Sequence, residues 1–127
     1  SQLTLTAQRA YAFAGVTPPD IDVVSLHDMC ASEEITALVA MGLADSSEIV
    51  KLAEAGGLAY DGALPVNTDG GCIARGHPIG ATGLAQTAEV VIQLRGEAEP
   101  RQVRSPRIGL VQAVGGGGSC VAAVLAA

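Results

Sequence analysis

Tryptophan is absent from this chain, and Tyr11, Phe13 and Tyr60 are its only aromatic residues. No core can be built on stacked rings, so helix and sheet must pack on Val, Leu, Ile, Ala and bare backbone. Basic charge is also scarce. Seven Lys and Arg face thirteen Asp and Glu, for a net charge of −6 and a pI near 4.6, the wrong sign for condensing on a phosphate backbone or an anionic membrane. Nucleic-acid binding is therefore not expected. The longest strongly apolar stretches run about a dozen residues, short of the roughly 20 that a bilayer span needs, and no charged segment followed by an apolar one opens the chain. A cytoplasmic protein with no membrane span is expected. The three cysteines, Cys30, Cys72 and Cys120, form no CxxC pair, which excludes a zinc ribbon and a disulfide framework and leaves free thiols and no metal site as the expectation.

What is present suffices for one domain. The chain has 127 residues, 49% of them hydrophobic, with 16 glycines that suit close approach of secondary elements. It opens at Ser1, not Met, and directly in an amphipathic pattern, as a trimmed, processed or partial chain would. Leu3, Ala7, Ala10, Tyr11 and Ala14 recur at helical spacing until Gly15 and Pro18-Pro19-Asp20 stop the pattern. Ile21 to Leu26 is short and rich in β-branched residues, the signature of a strand buried on both faces. Ser32 is a candidate cap for a second helix running to Gly42, with Glu33 and Glu34 in its first turn. A short polar helix is expected from Ser47 to Ala55, and Gly56 to Gly76 reads as a long loop with at most one short strand. Leu84 to Leu94 is apolar on nearly every face and predicts a helix buried inside the fold. A charged loop from Glu97 to Arg107 then leads to two strands, Ile108 to Val114 and Ser119 to Leu125, joined antiparallel through Gly115 to Gly118.

The two histidines stand in special settings. His77 lies between Gly76 and Pro78 just ahead of the apolar helix, where free N–H groups and an imidazole can bind an oxyanion. His27 and Asp28 end the buried strand, where α/β folds place side chains in a crevice. Asn67, followed by Thr68, Asp69 and the pair Gly70-Gly71, has an amide able to orient neighbouring backbone. Gly115 to Gly118, with Gly115 and Gly117 as candidate supporting residues, is either a nest of N–H groups or a plain hairpin turn. Cys30 follows His27 by three residues, so it is either activated by imidazolium and a helix N-terminus or buried and inert, and the same alternatives hold for Cys72. Cys120, inside a terminal strand, reads as packing. Arg95, Arg101, Arg104 and Arg107, interleaved with Glu97 and Glu99, read as a solvated loop or a subunit contact.

The segment NTDGGCIARGHPIGATG, Asn67 to Gly83, resembles the signature of the thiolase superfamily: an Asn, a Gly pair, then GHPxGxTG. LHD at Leu26 to Asp28 and QLRGEAEPRQV at Gln93 to Val103 resemble the sterol carrier protein x type of thiolase (the nonspecific lipid-transfer protein type), in which HDCF replaces the NEAF loop of ordinary thiolases. The resemblance covers essentially the whole chain. It implies an α/β fold of the layered thiolase type, here the C-terminal half: βαβαβ layers with a mixed sheet around a central buried helix, forming one domain over residues 1–127.

The resemblance also implies a function. A complete protein of this kind is an acyltransferase that cleaves or forms a β-ketoacyl-CoA bond through an acyl-cysteine. That nucleophile belongs to the N-terminal half, so no residue of this chain inherits the role, and the chain alone is expected to be inactive. His77 matches the histidine that activates the nucleophile and helps form an oxyanion hole, and His27 matches the residue that positions water or substrate. Coenzyme A is implied as a substrate with no bound cofactor, together with an N-terminal thiolase half, a homodimer or higher oligomer, and an OB-fold zinc protein as partner in some relatives. Two family thiols are missing: Met29 stands where HDCF has its cysteine, and Ala113 where ordinary thiolases have CxGxG. The acid/base group is thus open between Cys30 and Cys72, and a different thioester or carbon–carbon reaction or a non-catalytic subunit remains as an alternative.

Overall fold

The computed structural model describes residues 1–127. Helix α1 (Gln2–Ala14) starts where the Ser1 hydroxyl accepts the Thr4 N–H at 3.2 Å and stops at Gly15, whose φ of 69° is left-handed. It buries Ala7 and Tyr11, four residues apart on one face. A 3-10 turn at Pro18–Asp20 follows, in which the Asp20 carboxylate accepts from both the N–H and the hydroxyl of Thr17. Strand β1 (Val23–Ser25) is buried throughout, as its composition predicts, but spans three residues instead of six. The ladder is taken over by side chains on either side of it. Asp22 accepts the N–H groups of Arg107 and Ile108 before the strand, whereas beyond it Leu26 N–H goes to Asn67 Oδ1 and His27 N–H to Gln112 Oε1.

Strands β2 (Ile108–Val114) and β3 (Cys120–Ala126) complete a mixed sheet of order β1-β2-β3, with β1 parallel to β2 and β2 antiparallel to β3. The βαβαβ expectation is corrected accordingly: there is one parallel crossover and one hairpin, plus a parallel bridge from Val24 to Val66. Alternation along β1 and β2 divides the core between the two faces. Val24 and Leu110 join Ala7, Tyr11, Leu26 and Leu38 in the larger cluster, while Val23 and Val111 join Val90 and Val103 in the smaller. Truncating fully buried Leu26, Leu38 or Leu110 to Ala costs about 2–5 kcal/mol.

Helix α2 (Ala31–Ala40) differs from expectation at its start. Cys30, not Ser32, holds the N-cap position, and Ser32 Oγ lies 3.1 Å from Cys30 Sγ instead of capping. No side chain caps the helix; Glu33 Oε2 instead folds back to accept the Met29 N–H, ahead of the N-cap, at 2.8 Å. Helix α3 (Ile49–Glu54) falls within the expected range. The long loop contains a short helix, α4 (Gly71–Arg75), that the glycines around it concealed. Helix α5 (Thr82–Leu94) covers β1 and β2 on one side only. It is therefore not buried all round: Leu84 is 74% exposed, and the buried face is largely polar, with Thr82, Gln86, Glu89 and Gln93 beside Val90. Gly109 lets this helix sit close, since a Cβ there would lie 2.3 Å from Val90 Cγ1.

Candidate active site

Parallel pairing brings the ends of β1 and β2 to one edge of the sheet, and α5, running back between them, presents its N-terminus at that edge. His27 and Asp28 follow β1, Gly115 and Gly116 follow β2, and His77 precedes α5. The sequence-predicted histidines therefore meet: their rings lie 4.7 Å apart at an interplanar angle of 88°, edge to face. His77, Ile79, Gly80, Thr82 and Gly83 from the α5 side, with Ala113 to Gly116 from the hairpin, line a recess of about 340 Å³ that His27 closes. His27 also walls a second recess of about 260 Å³ with Leu3, Met29, Ser32, Glu33 and Gln112.

His77 Nδ1 is 2.7 Å from Thr82 Oγ1, which lies 3.2 Å from the Pro78 carbonyl. When both contacts are hydrogen bonds, the Thr82 hydroxyl donates to Pro78 and accepts from Nδ1–H, which leaves the Nε2 lone pair free. Such a nitrogen can take a proton and afterwards donate it. His27 is buried, its Nδ1 has no hydrogen-bond partner, and its backbone N–H is fixed by Gln112 at 3.0 Å. Burial, and then the charge of His77, push the His27 pKa below its ordinary value. Two imidazoles at this distance resist being charged together, and burial favours the neutral form of His27.

Asp28 is buried and belongs to neither ion pair, Arg75–Asp69 or Arg101–Glu89. Its Oδ1 accepts the Cys72 N–H at 2.7 Å, tying the end of β1 to the first turn of α4. Gly71 makes that possible, because its φ is 60° and a Cβ there would lie 2.2 Å from Asp28 Oδ2. Asn67, at a φ of 47°, accepts the Leu26 N–H at 2.8 Å. It thus orients backbone, one residue before His27. Behind it Thr68 donates to Glu89, which pairs with Arg101 through Nε and Nη2 at 3.0 and 2.7 Å. Arg101, its side chain 38% exposed, thus joins a partly buried polar network through Glu89.

The three thiols stand in different surroundings. Cys30 is exposed, bonds Ser32, and does not join the histidines. Cys72 is buried with its Sγ 3.9 Å from His77 Nδ1, and one ligand atom each from His27, Cys72 and His77 lie within 4.8 Å of one another. Burial pushes the Cys72 thiol above its usual range, so it rests protonated. Cys120 is half-buried and lies 3.8 Å from Gln112 Nε2. Gly115 lines the recess, and its N–H closes the hairpin on the Ser119 carbonyl at 2.9 Å. Gly117, at φ 77°, shapes the 3-10 turn Gly116–Gly118. Met29 is exposed, and Ala113 presents no thiol to the recess. Sequence reading missed Thr82 and Gln112. The TG of the GHPIGATG run marked the first, whereas nothing local marks the second, 85 residues from the backbone it binds.

The family model described as thiolase C-terminal domain-like matches residues 1–127. Acetyl-CoA acetyltransferase of Methanothermobacter thermautotrophicus is 47% identical over 116 residues, covering 91% of this chain and 30% of that protein. Sterol carrier protein 2 of Homo sapiens is 44% identical over 115 residues, covering 91% of this chain and 21% of that protein. Among solved structures, an Ltp2-ChsH2(DUF35) aldolase superposes with a TM-score of 0.83 at 29% identity, over 98% of this chain and 31% of its own. The chain thus spans only 21% to 30% of the length of these two curated relatives. No helix is long and apolar enough to cross a membrane.

Proposed function

From the premise that this chain belongs to the thiolase C-terminal domain-like family, we propose that it is the C-terminal part of a thiolase-type acyltransferase. The substrate class is an acyl-CoA, cleaved or extended at its β-carbon, with the acyl group carried on a cysteine of an N-terminal half. One observation carries the reading: His77 and His27 stand edge to face, 4.7 Å apart, on the wall of a recess formed by glycine-rich backbone. His77 Nε2, its ring held by Thr82, takes the proton of the nucleophilic thiol. The imidazolium then donates to the oxygen on which charge develops at the thioester carbonyl. Neutral His27 orients water or the acyl carbonyl beside it. Both groups sit on constrained backbone, so no reorganisation is needed as charge develops, and one such donor is worth about 10²–10³ in kcat.

The test is thiolysis of an acyl-CoA by the full-length protein. His77→Ala is expected to lower kcat by about 10²–10³ with far less change in KM; undiminished turnover would sink the reading. A second reading, a non-catalytic thiolase-like subunit of a heteromeric acyl-CoA enzyme or lipid-transfer complex, is favoured by Met29 and Ala113 standing where the family has thiols. The benzoylsuccinyl-CoA thiolase subunit BbsB of Thauera aromatica, 35% identical over 113 residues, is named as a subunit, and the Ltp2-ChsH2(DUF35) aldolase is named for two components. A dimer and an OB-fold zinc partner belong with this reading. Turnover by the purified full-length chain without partners discards it.

A further inference from the structure

We propose that His27, Cys72 and His77 form a binding site for a thiophilic divalent cation of the zinc type, which occupies the histidine pair and blocks it reversibly. The three residues come from separate elements: the end of β1, the first turn of α4 and the loop before α5. One ligand atom from each lies within 4.8 Å of the others, and Cys72 Sγ is 3.9 Å from His77 Nδ1. Tetrahedral zinc, with bonds of about 2.0–2.1 Å to nitrogen and 2.3 Å to sulfur, sets its ligand atoms roughly 3.6 Å apart. The side chains therefore close by up to roughly 1.2 Å on the ion, within the reach of small rotamer changes. One imidazole and one thiol are buried, and the other imidazole faces the recess.

A second observation points the same way. His27 Nδ1 is a buried nitrogen with no hydrogen-bond partner, an arrangement that a ligand at this position relieves. His77 offers Nδ1 to the same ion, the nitrogen that lies 3.9 Å from Cys72 Sγ; on ligation it exchanges its contact with Thr82 Oγ1 for the metal and its ring proton moves to Nε2. With three protein ligands, the fourth position stays open to water, a thiol or a carbonyl entering the recess. On binding, the Cys72 S–H proton leaves to solvent, the sulfur–metal bond forms, and the cation sheds the waters that the three residues replace. Nothing is oxidised or reduced. Both imidazole lone pairs are then engaged, so His77 can no longer take a proton, and turnover and cation binding exclude each other.

The experiment titrates the full-length protein with Co²⁺ and with Zn²⁺ at neutral pH. A single Co²⁺ per chain with a thiolate-to-cobalt charge-transfer band is expected, retained in Cys30→Ser and Cys120→Ser and lost in Cys72→Ser. Zn²⁺ affinity should fall more than about 100-fold in Cys72→Ser, beyond the 10–100-fold typical of losing an outer-shell partner. Because Cys72→Ser can disturb α4, the wild type supplies an independent readout: Zn²⁺ should shift the imidazole NMR signals of His27 and His77 together, at one equivalent. A band that survives in Cys72→Ser, or histidine signals unmoved by saturating Zn²⁺, overturns the proposal. None of these readouts requires turnover, so failure of the acyltransferase reading and failure of this one are told apart.

Discussion

Glu89 offers the sharpest test of how the site is supported. Its carboxylate is 4% exposed and accepts hydrogen bonds from Thr68, from Gln93 and twice from Arg101. Replacing it by Ala leaves the Thr68 hydroxyl, the Gln93 amide and the Arg101 guanidinium without that acceptor. Breaking a buried pair costs about 3–5 kcal/mol. Arg101, however, is 38% exposed and can turn to water, which brings the expected loss down to about 2–3 kcal/mol. For a chain of this size that corresponds to a Tm lower by about 6–15 °C. Equilibrium urea unfolding measures it. Glu89→Met combined with Arg101→Met should return to within about 1 kcal/mol of the wild type, because an apolar pair removes both desolvation costs together. The pH dependence follows from the same contacts. Burial pushes the Glu89 carboxyl up, but the bonds from Arg101, Thr68 and Gln93 outweigh it and hold the pKa below its ordinary value of 4.5. The stabilisation is therefore complete above pH 4.5 and is lost as pH falls through the lower folded value; the double variant should lack this acid-sensitive part. If Glu89→Ala loses less than about 0.5 kcal/mol, or the double variant is no more stable than the single one, the network is not what anchors Thr68 and the loop before α4.

Gly71→Ala places a methyl against the Asp28 carboxylate in a left-handed backbone, and should cost about 1–3 kcal/mol and more than tenfold in turnover; wild-type stability in thermal melts would show that the Asp28 contact to α4 is slack. Asn67→Gly keeps the positive φ but strips the Leu26 N–H of its acceptor, for an expected loss of about 1–3 kcal/mol by chemical denaturation, with an unchanged midpoint refuting the role. His27, whose pKa burial and His77 hold below 6.5, contributes stability that is present above that value and lost as pH falls through its folded pKa. NMR titration should find the His27 pKa low and find it moving up in His77→Gln, whereas an unmoved value would mean that the two rings do not interact.

Legibility in the sequence followed the range of the contact. The end of β1, the turn at His77 and the β2–β3 hairpin were readable because each is written in adjacent residues: a β-branched run, a glycine-bounded His-Pro, four successive glycines. The burial of α5 was misread for the converse reason. A helix lying on a sheet buries one face only, and here that face carries Gln86, Glu89 and Gln93 because each meets a partner far along the chain: the Gln112 carbonyl, Arg101, and the Val103 N–H. Hydropathy along a helix registers the side chain and not its partner, so exposed Leu84 reads as buried, while Gln86, Glu89 and Gln93, satisfied by residues outside the helix, give no sign of which face is covered.

The same reasoning governs the thiol. Position by position, the expected cysteine falls at 29 or 113, where Met and Ala stand, and the sequence leaves Cys30 and Cys72 both open. Cys30 holds the N-cap position of α2 without a capping bond, its side chain exposed beside Ser32, whereas Cys72 reaches the histidines from α4, an element that the sequence did not reveal. A sulfur brought to the pair from this direction approaches the His77 Nδ1 edge, behind the ring, while Nε2 is the nitrogen that Thr82 leaves free. Cys72 is thus coupled to His77 without standing in the place of the missing thiols. Its protonated, desolvated state at rest makes it a poor acid/base at neutral pH, and a cation that takes its proton and draws both imidazoles together is the partner that this arrangement of sulfur and nitrogen suits best.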